Sequence, residues 1–296
     1  MITNVFILLQ KEFKLSFPIQ LMGRRIKVVK ESGEIEYYNH SKVQHAIRRA
    51  GLSARAAKDV LDRLEPRLYD GITTKKIYRL LYKLIDERKP EVSHKYNLKR
   101  ALMEIGPAGY EFEDFVSRLL TLDGYRTELR QYLQGKCVQH EIDIVAAKNG
   151  QVFMSECKFH SSGGIKTRIQ DALYTYARFL DLQAGAKLGR CRKFSKPWLI
   201  SNTKFSNDVK DYATCMGFPL LGWHYPLENS LEHLIEKRKC YPVSVIPMSR
   251  KVLEKLLKKK IVTVFDIPES AAKLEEITGV TTKTAKNILE KAEYAR

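Results

Sequence analysis

The chain has 296 residues, a formal net charge of +18 and 44% hydrophobic residues. That length suits two or three domains with cores of their own, and the lack of any apolar run of about 18 residues excludes a helical membrane span. Five scattered cysteines without a CxxC pair argue against a structural zinc site and a disulfide frame, and point to a reducing, cytoplasmic setting.

In chain order, residues 1–22 are expected to be a lead-in, disordered or a mis-called start. Residues 26–38 alternate around Ser32-Gly33 and read as a hairpin. Asn39 or Ser41 can cap a helix over Lys42–Ala50, and helices follow over 54–68, 74–87 and 92–105, with apolar residues such as Ile77, Leu80, Leu81, Leu84 and Ile85 at helical steps. Gly106-Pro107 marks a boundary. Beyond it come a helix over Tyr110–Leu122, strands over 126–131, 141–147 and 151–159, and a helix over Lys166–Leu182. A strand over 198–201, a helix over 207–216 and a strand over 219–223 complete this unit. The tail from 231 reads as helical and lysine-rich. The fold class is therefore α/β: an N-terminal β-hairpin plus helical bundle (23–105), a mixed sheet flanked by helices (106–228) and a small helical C-terminal module (229–296).

The charge is unevenly placed. Lys plus Arg outnumber Asp plus Glu by 20 to 10 in residues 23–100 and by 14 to 8 in 236–296, but only by 16 to 15 in 101–235. Basic flanks suit a polyanion such as nucleic acid or nucleotide. A nearly neutral centre that keeps its carboxylates hints at metal ligands.

The chemistry concentrates in residues 140–159, HEIDIVAAKNGQVFMSECKF. Asn149-Gly150 between two alternating apolar runs predicts a two-residue turn. Such a turn pairs Lys148 with Gln151 and, carried along the strands, sets Asp143 opposite Glu156, with Lys158 on the same face. A turn one residue longer would destroy this register. Two carboxylates so close repel unless one binds a proton or a cation lies between them, and a hard divalent ion, Mg²⁺ or Mn²⁺, suits oxygen ligands. Charges on strands this apolar need a reason, so a surface ion-pair ladder is the weaker reading.

The segment 109–125, GYEFEDFVSRLLTLDGY, followed by HEIDIVA and SECKF, resembles the Mrr-like branch of the PD-(D/E)xK nuclease superfamily. The resemblance implies a restriction-endonuclease-like fold for the central domain. It also implies Mg²⁺-dependent hydrolysis of double-stranded DNA by Asp143, Glu156 and Lys158, with Glu113 as the acidic residue of the first helix. Gln170 and Tyr174 match a Gln-x-x-x-Tyr that the family often carries on the next helix. Ile142 stands where the superfamily's proline would precede Asp143. Lys166 and Arg168, beyond the Ser161–Gly164 loop, are candidate DNA-phosphate contacts, and His140 is expected to be a solvated strand-end residue. Double-strand cutting needs two active sites, so a homodimer or higher homo-oligomer is expected.

Residues 28–43, VVKESGEIEYYNHSKV, with YDGITTKKIY at 69–78, resemble the ATP-cone, which implies ATP or dATP as a regulator. Val28, Lys30, Glu36, Asn39, Lys42 and Thr74 would line that site, while Glu31 and Tyr78 depart from the common pattern. No P-loop sequence occurs, so the nucleotide is not read as a fuel. In the tail, ITGVTTKTAKNIL at 277–289 resembles the second half of a helix-hairpin-helix, with Lys283 and Lys286 placed to grip a DNA backbone. The expectation is a DNA endonuclease of restriction type regulated by nucleotide. The alternatives are a nucleotide-sensing DNA-binding regulator that does not cleave, and a structure-selective repair or junction nuclease.

Overall fold

The structure is a computed structural model and describes residues 25–30, 33–106 and 109–296. The expectations for residues 1–22, Glu31, Ser32 and Pro107 lie outside the described residues.

The N-terminal unit pairs β1 (Lys27–Val29) antiparallel with β2 (Ile35–Tyr37). Asn39 then caps α1 (His40–Arg49), its side chain accepting from the Lys42 N–H, and Ser53 does the same for α2 (Ala54–Leu64). A short β3 (Ile72–Thr73) joins β1 in parallel and runs straight into α3 (Thr74–Arg88), capped by Thr73. Helix α4 (Pro90–Glu104) starts on a proline, whose missing N–H costs nothing at a first helical position. Ile47, Val60, Leu64, Ile72, Leu81 and Leu84 fill the core of this unit.

The second unit opens with α5 (Tyr110–Leu122), followed by β4 (Arg126–Gln134), β5 (Gln139–Lys148) and β6 (Gln151–Lys158). Next come β7 (Lys166–Thr167), α6 (Ile169–Lys187), β8 (Lys196–Ser201), β9 (Lys204–Phe205), α7 (Asn207–Met216) and β10 (Leu220–Leu221). The main sheet has the order β10-β8-β6-β5-β4. It is mixed: β4, β5 and β6 are antiparallel, while β6, β8 and β10 run parallel. One face, with Ile144, Ala146 and Phe153, packs on Phe112, Phe115, Val116 and Leu119 of α5. The other, with Val145 and Met154, packs on Phe179 and Leu182 of α6. Alternation along each strand thus buries both faces.

One boundary differs from the sequence reading. Lys166 and Thr167 form a strand paired with β9, and the helix begins only at Ile169 and runs to Lys187. The Asp171 carboxylate accepts from the Arg168 N–H and fixes that start. The pairing partner, β9, lies almost forty residues away, which local periodicity cannot reveal.

The C-terminal helices are α8 (Leu231–Arg238), α9 (Arg250–Lys258), α10 (Ala271–Thr278) and α11 (Thr282–Ala295). They share one continuous core with α5 and with Leu98, Ala101, Leu102 and Ile105 of α4. Ser244 donates to the Ala101 carbonyl, and Lys291 of α11 pairs with Asp86 of α3 at 2.6 Å. The last helix of the N-terminal unit is therefore built into the core of the C-terminal one.

Candidate active site

Asn149 and Gly150 both have positive φ, 52° and 74°, as a two-residue hairpin turn requires. The β5–β6 register is the one that this turn demands, from Lys148 opposite Gln151 to Ile144 opposite Ser155. The ladder ends there, one residue short of Asp143 and Glu156. Instead, Asp143 Oδ2 accepts from the Cys157 N–H at 2.7 Å. On its other side, β4 pairs Leu129 with Ile144 and Gln131 with Ile142, while Arg130, between them, has φ of 50°. Alternation also breaks here, because Ile142 joins the same core as Val145. A non-glycine residue held in the left-handed region beside an aspartate is the kind of local strain that clusters at functional sites.

Asp143 and Glu156 line one polar cleft of about 250 Å³, together with Gln139, His140, Glu141, Tyr174 and Arg178. Burial, opposed by the Cys157 N–H, raises the Asp143 carboxyl above its ordinary value. Burial and then the nearby Asp143 push Glu156 up to about 7. Burial and Asp143 likewise raise Glu113, on α5, to about 7. Three carboxyl groups therefore share one electrostatic neighbourhood. Among the described residues, no group of three or more His, Cys, Asp or Glu side chains is arranged as a metal cage. A two-carboxylate set nonetheless fits Mg²⁺, which keeps several waters and takes remaining ligands from a substrate.

Arginines hold these acids. Arg178 of α6, 7% exposed, is ion-paired with Glu156, and its guanidinium lies 5.1 Å from the Tyr174 ring centre. Arg130 pairs with Glu113 at 3.0 Å and with Asp114, which also takes Lys260 at 2.7 Å. Lys158 is outside the cleft lining and pairs with Asp171 at 3.0 Å. Gln170 is exposed in the first turn of α6 and is likewise outside the lining. Sequence reasoning passed over Arg178 and Arg130. Arg178 could have been found by extending Gln170 and Tyr174 one further four-residue step along the same helix face. Nothing in the sequence marks the reversed backbone at Arg130. His140 is a correction: it is not solvated but lies 2.9 Å from Asp181, whose carboxylate also accepts from the Cys137 and Val138 N–H groups. These contacts hold Asp181 well below the usual carboxylate range.

In the N-terminal unit, Val28 pairs with Glu36 across the β1–β2 ladder, and Lys30 and Lys42 both reach Glu36. Thr74 donates to the Val29 carbonyl, so the α3 N-terminus abuts the end of β1. Lys30, Glu36 and Lys42 are thus joined through one carboxylate. Thr74 and the α3 N-terminus lie at the Val29 end of β1, and Asn39 with the α1 N-terminus lies beyond Tyr37 at the opposite end, while the Val28 side chain is buried in the core. In the C-terminal unit, Gly279 turns between α10 and α11 with φ of 70°, and Lys283 and Lys286 are exposed in the first turns of α11.

Comparison with known proteins defines the first class: residues 26–104 match the ATP cone domain, so the N-terminal unit is an ATP-cone. A relative described as an uncharacterized protein, from Archaeoglobus fulgidus, is 39% identical over 178 residues, covering 60% of this chain and 97% of the relative. The chain belongs to the family of that protein. It is also similar to a solved structure, the crystal structure of protein of unknown function AF1548. That likeness has 38% identity and a TM-score of 0.52, and covers 62% of this chain and 96% of that one.

Proposed function

We propose that this protein is a divalent-metal-dependent DNA endonuclease of restriction type whose ATP-cone binds ATP or dATP as a regulator. The observation that carries the reading is the convergence of Asp143 and Glu156 in one polar cleft, each raised by burial, at the end of a hairpin rooted in a two-faced buried core. The mixed sheet with α5 and α6 on opposite faces agrees with a restriction-endonuclease-like architecture. A bound Mg²⁺ or Mn²⁺ would supply Lewis-acid polarisation of a phosphoryl oxygen.

The chain's own residues do the rest. The Cys157 N–H aims Asp143 and leaves its second oxygen free for a ligand. Glu156 is braced by Arg178, which must give way or share it when a cation enters. Glu113, held by Arg130 and raised to about 7, can exchange a proton near neutral pH. Lys158, 44% exposed and tethered to Asp171, can place a phosphate or stabilise its charge.

Incubation of supercoiled plasmid with Mg²⁺, with and without ATP or dATP, tests the reading. Wild type should nick or linearise it, Asp143→Asn should not, and nucleotide should change the rate. Equal cleavage by Asp143→Asn rejects the site. One observation favours a second reading, a nucleotide-sensing DNA-binding regulator: Arg178 already neutralises Glu156. DNA binding without cleavage at any divalent-ion concentration would select it.

A further inference from the structure

A row of cations crosses the surface between the candidate active site and the ATP-cone. It starts at Lys158, opposite Ser201 in the β6–β8 ladder. The Ser201 hydroxyl lies 2.7 Å from that of Thr167, and the neighbouring Lys166 is paired with Lys204 across β7 and β9. Both lysines are exposed while Thr167 and Phe205 point inward. Beside Lys204, the Thr203 carbonyl accepts from the Trp223 N–H, and Lys99 of α4 sits 6.0 Å from the Trp223 ring centre. Arg49, the last residue of α1, completes the row from the cone side.

These cations are poorly matched by acids. Lys99, Lys204, Lys166 and Arg49 make no salt bridge among the described residues. Glu232, which contacts His224 at 2.9 Å, offsets Lys99 and Arg49 only in part. Burial followed by Lys99, Lys204 and Arg49 pushes His224 down to about 4, and burial followed by Lys204 lowers Lys99, with Glu232 opposing and Arg49 adding to the fall. Folding has therefore placed like charges from two units side by side, a cost that an approaching polyanion would relieve.

We infer that Lys166, Lys204, Lys99 and Arg49 form a DNA-backbone track that carries the duplex from beside Lys158 to the C-terminal end of α1 in the ATP-cone. Separate phosphates along one strand can meet cations from both units, so the cone takes part in holding DNA. This rests on the proposed nuclease reading for its choice of polyanion.

Duplex binding, measured by fluorescence anisotropy in EDTA so that nothing is cut, tests the track independently of catalysis. Wild type, Lys99→Ala, Lys204→Ala, the double variant and a control, Lys58→Ala on α2, are compared between about 50 and 200 mM salt. Each single change should lower the slope of log affinity against log salt by about 0.9, and the double by about twice that, irrespective of DNA sequence. The control should match wild type. Both residues are exposed, Lys99 with its ammonium beside the Trp223 ring, so thermal midpoints close to wild type are expected and verify folding. Unchanged slopes overturn the track even if wild type cleaves plasmid. Loss of ATP binding with DNA affinity intact also overturns it, by reassigning these cations to the nucleotide. Conversely, absence of cleavage with the slopes lowered as expected would leave the track standing and remove only the catalytic reading.

Discussion

Arg178 is the side chain on which the balance of the cleft turns, and Arg178→Gln perturbs it directly. Glu156 has an ordinary value of 4.5 and is raised to about 7, chiefly by burial and Asp143, with Arg178 opposing the rise. A carboxyl raised by folding binds its proton more tightly in the folded state. Its contribution is therefore full below about pH 4.5 and is lost as pH climbs through about 7, a loss on the order of 3 kcal/mol. Without the guanidinium the folded value climbs further and the loss extends to higher pH. Stripping one partner from a buried ion pair costs roughly 3–5 kcal/mol. That penalty applies only while Glu156 is ionised; once it is protonated, the change removes a hydrogen bond worth about 1 kcal/mol. Urea unfolding of wild type and variant at about pH 5 and about pH 8 reads the difference. The variant should lie within about 1 kcal/mol of wild type in acid and roughly 2–3 kcal/mol below it at about pH 8. It keeps its proton there, while each pH unit above about 7 favours wild type, with Glu156 ionised, by about 1.4 kcal/mol. Mg²⁺ should recover more stability for the variant than for wild type at the higher pH. An equal deficit at both pH values would refute the argument.

Further outcomes are expected. The affinity for Mg²⁺ should fall by about tenfold per pH unit below 7, because binding must expel a proton from a raised carboxyl; calorimetry at several pH values checks this. Gly185→Ala should destabilise by about 1–3 kcal/mol in urea, because its Cβ would lie 2.8 Å from the Gln134 carbonyl oxygen and the Gly135 backbone, which cannot swing aside. Gly150→Ala should cost about 1–2 kcal/mol from backbone strain alone, since nothing lies within 4 Å of the added Cβ. ATP or dATP at a hundred times its dissociation constant should stabilise the chain by about 2.7 kcal/mol, and Lys30→Ala should shrink the gain at the same concentration; melting with and without nucleotide measures it.

Much of the architecture could be read from local patterns. Tyr110–Leu122 and Asn207–Met216 form helices over the expected bounds, because each ends in a clear signal, Gly124 just beyond the one and Gly217 at the other. The Asn149-Gly150 turn sets the register of the central hairpin because its chemistry admits few alternatives. What escaped depends on distant partners. Lys166 and Thr167 are a strand only because β9 lies beside them. The merging of α4 with the C-terminal core depends on contacts such as Ser244 to Ala101, across 143 residues. At the site, the carboxylates were legible as charges on apolar strands, whereas Arg178 and Arg130 were not. Their roles come from where α6 crosses the sheet and from one reversed backbone step.

The central claim is that Asp143 and Glu156 together hold a divalent cation. The most direct test is the anomalous scattering of crystals of this protein soaked in Mn²⁺. A peak bridging the Asp143 and Glu156 carboxylates, with Arg178 drawn away from Glu156, is the predicted result. A cleft with no peak at saturating Mn²⁺, and Arg178 still paired with Glu156, would contradict it.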